Sequence, residues 1–218
     1  MANVGGATDI PHIPCHAGAV PTLVLGSASP ARLRTLRTAG VEPVVIVSGV
    51  DESGLDHLAP TQLAGTLAEL KRDAVAVHPD VPAGALVLGC DSVLEIDGVA
   101  HGKPRDAEDA VARWARMSGR SGLLHTGHAL VDTATGQRRT EVATTVVHFA
   151  EVEEAEVRAY VATGEPLHVA GAFTLEGLGA AFVRGVEGDP HNVVGVSVPL
   201  LRTALAELGH RWTDLWSR

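Results

Sequence analysis

The stretch VLGSASPARLRTLRTAG, residues 24–40, crowds a glycine, serines, a proline and arginines into the point where a buried strand hands over to a helix. Its opening residues belong to TLVLG (22–26), an apolar run of the length of a buried strand. From Pro30 to Gly40 the pattern is helical. Ser29 stands where an N-cap belongs, Pro30 suits the first helical position, and Gly26 permits the tight turn. The same corner leaves Ser27, Ser29 and Arg32 around a helix N-terminus, where hydroxyls, amides and a guanidinium meet phosphate oxygens. A capped helix and nothing more explains the glycine and the serines equally well, so the corner is a candidate and not yet a site.

The alternation of apolar run and helical stripe continues along the chain. PVVIVS (43–48) reads as a second strand, and Leu63, Leu67, Leu70, Ala74 and Val77 fall on one face of a helix over 61–78. GALVLGCDSVLEIDGVAHG (84–102) gives a buried strand and a second extended piece that turns at Asp97-Gly98, a strong hairpin signal. Asp106 caps a helix running to Ser118, with Ala107, Ala110, Val111, Trp114 and Met117 on its buried side. Strands over 123–132 and 140–149 flank TATGQRR as an antiparallel ribbon, and Val157, Tyr160 and Val161 mark a short helix that stops at Gly164. AAFVRGV (180–186) is strand-like, and a last helix runs from Pro199 to Leu208, closed by Gly209. Parallel-type βα units beside a long hairpin predict an α/β fold with a mixed central sheet and flanking helices. Residues 1–20 read as a flexible N-terminal tail and residues 21–218 as one α/β domain.

Composition narrows the partners. With 218 residues, 45% hydrophobic and 20% charged, the chain has enough apolar surface for a proper core. Net charge is −9 and the isoelectric point near 5.6, with no basic stripe, which argues against a nucleic-acid surface and leaves room for a small anionic ligand. Nothing approaches the roughly 20 apolar residues of a membrane helix, and the first residues lack a secretory signal, so the expected location is the cytoplasm and no membrane partner is expected. Cys15 and Cys90 suit a reducing compartment better than a disulfide framework. His12, Cys15 and His16 are read as incidental ligand types in a tail, because structural zinc sites present four ligands on a folded frame.

Familiar phosphate and hydrolase motifs fail on spacing. GVAHGKP (98–104) has too few residues between its glycines for a P-loop, and Pro104 stands where Ser or Thr must ligate magnesium. There is no GxGxxG after a strand and no HExxH, and GVSVP around Ser197 lacks the second glycine of a nucleophile elbow. His125 and His128 lie on opposite faces of a predicted strand and are read as ordinary strand residues. What remains is a set of charges at element ends: Asp51 and Glu52 after the second strand, Lys71 within a helix, Asp91 after LVLGC, and Lys103 in GKP. Open α/β sheets bind ligands at the carboxyl ends of their strands, and a cleft with several cations and two or more carboxylates is what a metal-bound polyphosphate requires.

Taken in order and spacing, LGSASPARLRTLRTAG, VDE, LAELKRDAV, GCDSVLEIDG, HGKPRDAEDAVARWARMSGR, HTGHALV and VAGAFTLEGLGAAFVRGVEGDPHNVVGVSVPLL resemble the blocks of the Maf nucleoside triphosphate pyrophosphatases, over residues 22 to 209. The resemblance implies two lobes around a substrate cleft. It also implies a cytoplasmic, divalent-cation-dependent hydrolase, using magnesium or manganese, that cuts a nucleoside triphosphate between its α and β phosphates. By the same resemblance Asp91 is the catalytic base and a metal carboxylate, and Glu52 its metal-binding partner. Ser27, Arg32, Lys71 and Lys103 become phosphate and substrate contacts, and Glu176 occupies the position where many relatives carry glutamine. Two departures stand out. Ala31 replaces the first of two usual arginines, leaving that contact missing or supplied by Arg34, and Ser53 follows VDE where lysine is common. The pattern EGLG…EGDPHNVVG looks more like the branch associated with 7-methyl-GTP than the one associated with dTTP and UTP. The resemblance, and nothing else in the sequence, suggests a homodimer.

Two carboxylates about 4 Å apart repel by roughly 4 kcal/mol at an effective dielectric near 20, so Glu52 and Asp91 share a site only with a cation between them, a role that magnesium fits. Two other readings stay open. A nucleotide-sensing regulator of septum formation and cell division would use the cleft for binding with little catalysis, and a plain phosphatase would release orthophosphate.

Overall fold

The computed structural model describes residues 21–55 and 57–217. Apolar LVLG forms β1 (Leu23–Gly26), buried throughout, and α1 (Pro30–Thr38) starts as expected, with Ser29 Oγ accepting from the Arg32 amide. β2 (Val44–Val45) is shorter than the six-residue apolar run suggests. It is the outer strand of the sheet, pairing only with β1, and both valines are exposed. β3 (Leu86–Ile96) turns at Asp97 and Gly98, both at positive φ, into β4 (Val99–His101). Asp106 caps α3 (Ala107–Met117) through the Asp109 amide at 2.8 Å, and the ribbon becomes β5 (Ser121–Asp132) and β6 (Arg138–Phe149). After α4 (Glu154–Ala162) the chain makes short helical turns, then β7 (Val183–Glu187), α5 (Pro190–Val194) and α6 (Val198–Glu207). The strand expected at 180–186 begins only at Val183, because residues 177–182 form a tight helical turn instead.

The sheet has seven strands in the order β2-β1-β3-β5-β6-β7, with β4 beside β3. β1 is parallel to β2 and β3, and the remaining pairings are antiparallel, so the sheet is mixed as the sequence predicts. Strand alternation distributes the core. Leu86, Leu88 and Cys90 of β3 join Leu36 of α1 and Leu201 and Leu205 of α6 in one apolar cluster. Leu94 and Ile96, on the same face but farther along β3, join Trp114, Tyr160, Phe149 and Phe173 in a second. The even-numbered residue between them is Ser92. The sheet thus carries two cores side by side on one face, one beneath each lobe, with a polar row where they meet. The opposite face packs Val24, Val87 and Val131 against Val75 of α2 (Pro60–Ala76).

Helix α2 lies where it was expected but is rotated. Its buried residues are Ala64, Gly65, Leu67, Ala68, Arg72 and Val75, while Leu70 and Val77 are exposed. The cause is in the strands beneath it. A methyl group at Gly127 of β5 would overlap the Ala64 carbonyl oxygen, and one at Gly89 of β3 would overlap that of Ala68. Bare glycine backbone lets the helix backbone descend onto the sheet, and the close approach selects alanines, not leucines, for the contact face.

Candidate active site

β1 ends at Gly26 opposite Gly89, but β3 continues, so Asp91 and Ser92 stand on open sheet just past the end of β1. The Ser27–Ser29 turn and the start of α1 border that opening on one face and α2 on the other. Together they form one side of a cleft of about 1530 Å³. Ser27, Arg32, Glu52, Lys71 and Asp91 line it, and so do Lys103 and Glu176 from the opposite lobe. Every residue that the family resemblance assigned to the site therefore faces the same cavity, whereas Asp51, grouped with Glu52 in the sequence, is not on its lining.

Three of them form a cluster of ion pairs. Lys71 Nζ contacts Asp91 Oδ1 and lies 2.8 Å from Glu52 Oε1; the Lys71 and Asp91 side chains are 13% and 14% exposed, that of Glu52 50%. The two carboxylates do share a cation, as their repulsion demands, but here it is the Lys71 ammonium. Lys71, expected among the substrate contacts, stands between Glu52 and Asp91 on the cleft wall.

Arg32 is more constrained than a free phosphate contact. Its Nε donates to the Gly195 carbonyl at 2.8 Å, Nη1 to Ser27 Oγ at 2.9 Å and Nη2 to Ser92 Oγ at 2.9 Å. A Cβ at Gly195, whose φ is +116°, would sit 3.0 Å from Arg32 Nε, so glycine permits the approach. Arg32 thereby ties α1 to the segment after α5, and the two remaining N–H groups of its fork are what it has to offer a ligand. The sequence reading missed Ser92, which also bonds Thr126 Oγ1 at 2.9 Å, and Gly195, since neither carries a motif.

Lys103 is held through its backbone. Arg113, paired with Asp109 at 2.6 Å, donates to the Gly102 carbonyl at 2.6 Å and to that of Lys103 at 3.2 Å. The i,i+4 spacing of Asp109 and Arg113 was a visible signal, though not of this loop. Arg34, considered as a replacement for the arginine absent at position 31, also lines the cleft, with Glu176 3.9 Å away and both largely exposed. His125 and His128 lie on opposite faces as expected and neither lines the cleft; His125 Nε2 is 2.8 Å from Glu95 and His128 Nε2 accepts from the Ser197 amide at 2.8 Å. Burial pushes the Cys90 thiol, next to Asp91, up to about 12, so it stays protonated and is no nucleophile.

Among the described residues no group of three or more His, Cys, Asp or Glu is placed to hold a metal, and His12, Cys15 and His16 lie outside them. Glu52 and Asp91 offer hard carboxylate oxygens on the cleft wall. That donor set does not make an all-protein cage, but it fits magnesium or manganese shared with a polyphosphate, since such ions keep water and take substrate oxygens for the rest of their shell. No helix among the described residues is long and apolar enough to cross a membrane.

The family model described as "Maf-like protein" matches residues 22–208. The chain belongs to the Maf-like family. It is 57% identical over 195 residues to a protein of Streptomyces coelicolor, covering 89% of this chain and 94% of that one. It is 57% identical over 204 residues to one of Salinispora tropica, covering 92% and 90%, and 49% identical over 197 residues to one of Nostoc punctiforme, covering 90% and 98%. All three relatives carry the name nucleoside triphosphate pyrophosphatase. The mixed sheet and the cleft between two cores agree with the Maf-like fold that the sequence blocks implied.

Proposed function

We propose that this protein hydrolyses nucleoside triphosphates to the monophosphate and pyrophosphate. The observation that carries the reading is the Lys71, Asp91 and Glu52 cluster set in a cleft that also presents Ser27, Arg32 and Lys103. In this reading Asp91 orients a water and accepts its proton as the water oxygen attacks the α phosphorus in line. One P–O bond forms, the bond to the bridging oxygen of the β phosphate breaks, and the electron pair leaves with pyrophosphate. Lys71 keeps two adjacent carboxylates tolerable beside a polyanion, while Arg32 and Lys103 neutralise charge growing on the leaving group. Ser27, already fixed by Arg32, directs its hydroxyl at the phosphates. A magnesium or manganese ion held by Glu52 and Asp91 would supply further neutralisation of the phosphates and a more acidic water.

The test is to incubate the purified protein with a panel of normal and 7-methylated nucleoside triphosphates, with magnesium, with manganese and with chelator, and to identify the products. Monophosphate and pyrophosphate, formed only with metal, are expected. Orthophosphate would instead identify a phosphatase, and binding without turnover a nucleotide-sensing regulator; either outcome overturns the proposal.

A further inference from the structure

Glu165 follows Gly164 at the end of α4, where the sequence offers an ordinary surface acid. Its carboxylate is instead the centre of a small cage. Oε1 accepts from Thr174 Oγ1 at 2.5 Å, from the Gly179 amide at 3.0 Å and from Tyr160 Oη at 3.3 Å, and Oε2 accepts from the Leu178 amide at 3.2 Å. Burial pushes this carboxyl up, but the donors from Thr174, Gly179, Leu178 and Tyr160 together outweigh it and hold it below its ordinary value, so it is ionised at neutral pH. The surrounding chain is moulded to it. Gly177 has φ +74° and a Cβ there would lie 2.8 Å from Glu165 Oε2, while a Cβ at Gly179 would overlap Thr174 Oγ1 and Tyr160 Oη. Between these anchors lie Leu175 and Glu176, both facing the cleft, as Glu165 does.

We infer that Glu165 is a positioning residue: its carboxylate clamps the turn from Thr174 to Gly179, so that Leu175 and Glu176 present a fixed wall to the substrate. The clamp stands on geometry, and what the wall meets rests on the proposed function above. The ion pairs of Lys71 run to Glu52 and Asp91, and that of Glu176 to Arg34, so loosening the clamp leaves the reacting carboxylates in place. A wall that contributes binding equally to substrate and transition state shows itself in KM and not in kcat.

In E165Q an amide group replaces one of the two accepting oxygens, so donors facing that position lose their acceptor and charge assistance vanishes for all of them. The expected result is a KM about tenfold higher with kcat within about twofold of wild type. Hydrogen exchange at the Leu178 and Gly179 amides is expected to be faster by about tenfold, with β3 and β5 amides unchanged. T174V removes a single donor and should move the same readouts in the same direction by a few fold. Unchanged KM and unchanged exchange at Leu178 and Gly179 in both variants would overturn the inference, as would faster exchange throughout the chain with a parallel fall in kcat, which marks a residue needed only for folding. If wild-type protein releases pyrophosphate from no nucleotide, the functional proposal falls, while exchange at Leu178 and Gly179 still decides the clamp.

Discussion

Asp91 shares the Lys71 ammonium with Glu52, so changes at this cluster separate chemistry from folding. Asp91→Asn keeps the shape of the side chain and the strand pairing with Gly127, and removes one negative charge and the proton-accepting oxygen. Turnover is expected to fall by about 10² to 10⁴, as for loss of a general base, with a melting temperature within a few degrees of wild type. Steady-state rates of pyrophosphate release and thermal denaturation of the same preparation check both halves, and wild-type turnover in the variant would remove Asp91 from the base role. At this scale Asp91, Glu52 and Lys103 were legible through the sequence blocks that resemble the Maf family; the expectation that Asp91 ends a strand was wrong, since β3 runs on to Ile96 and only its neighbour β1 stops beside Asp91. Glu165 was not legible. Its partners are two hydroxyls and two amides five to fourteen residues away, and a carboxylate that binds backbone leaves no pattern of side chains to read.

Among the elements, α2 bears most directly on the site, because Lys71 projects from it toward Asp91. Its height above the sheet is set by Gly89 and Gly127. Gly127→Ala places a methyl group against the Ala64 carbonyl, so the helix must rise or the strand must bend, at a cost of about 3 kcal/mol. A helix displaced in this way carries Lys71 off the carboxylates as well. The variant is therefore expected to lose stability in urea and also, under conditions where it is fully folded, to hydrolyse triphosphate several-fold more slowly; normal stability would show that the backbone contact is less tight than described. The helix itself was apparent from its apolar spacing, whereas its rotation was not. The stripe through Leu63, Leu70 and Val77 is as hydrophobic as the true contact face, and only the glycines across the interface favour the smaller one.

Over the whole molecule, the two cores on one sheet face are joined by buried polar groups instead of a continuous apolar layer. Ser92 bonds Thr126, Thr126 donates to the Asn192 carbonyl at 3.0 Å, and Asn192 Nδ2 reaches Thr145 Oγ1 at 3.1 Å. His128 closes this seam: its Nδ1 donates to the Thr126 carbonyl at 3.0 Å while Nε2 accepts from the Ser197 amide at the start of α6. Burial first, and the nearby Arg32 guanidinium second, lower its pKa from 6.5 to about 4. The neutral ring is the one that fits, since a proton on Nε2 would abolish the bond from Ser197. Because the folded pKa lies below the unfolded one, the unfolded chain binds more protons between these values, and stability is lost as pH falls from 6.5 toward 4. From this group alone the loss is about 2 kcal/mol between pH 7 and pH 5. Urea denaturation at the two pH values should show a fall of that order in wild type and a clearly smaller one in His128→Gln; equal falls in both would place the proton uptake elsewhere.

The order of amino acids determined, unaided, that a βα corner leads into the sheet and that the sheet is mixed. These are consequences of local periodicity, capping and turn chemistry, which act over a few residues and are written in them. The tertiary structure alone decided that Lys71 stands between Glu52 and Asp91, that Arg32 is committed to Ser27, Ser92 and Gly195, and that α2 rests on glycine. Each of these depends on the distance between backbones far apart in the chain, and that distance is set by packing, not by any local preference.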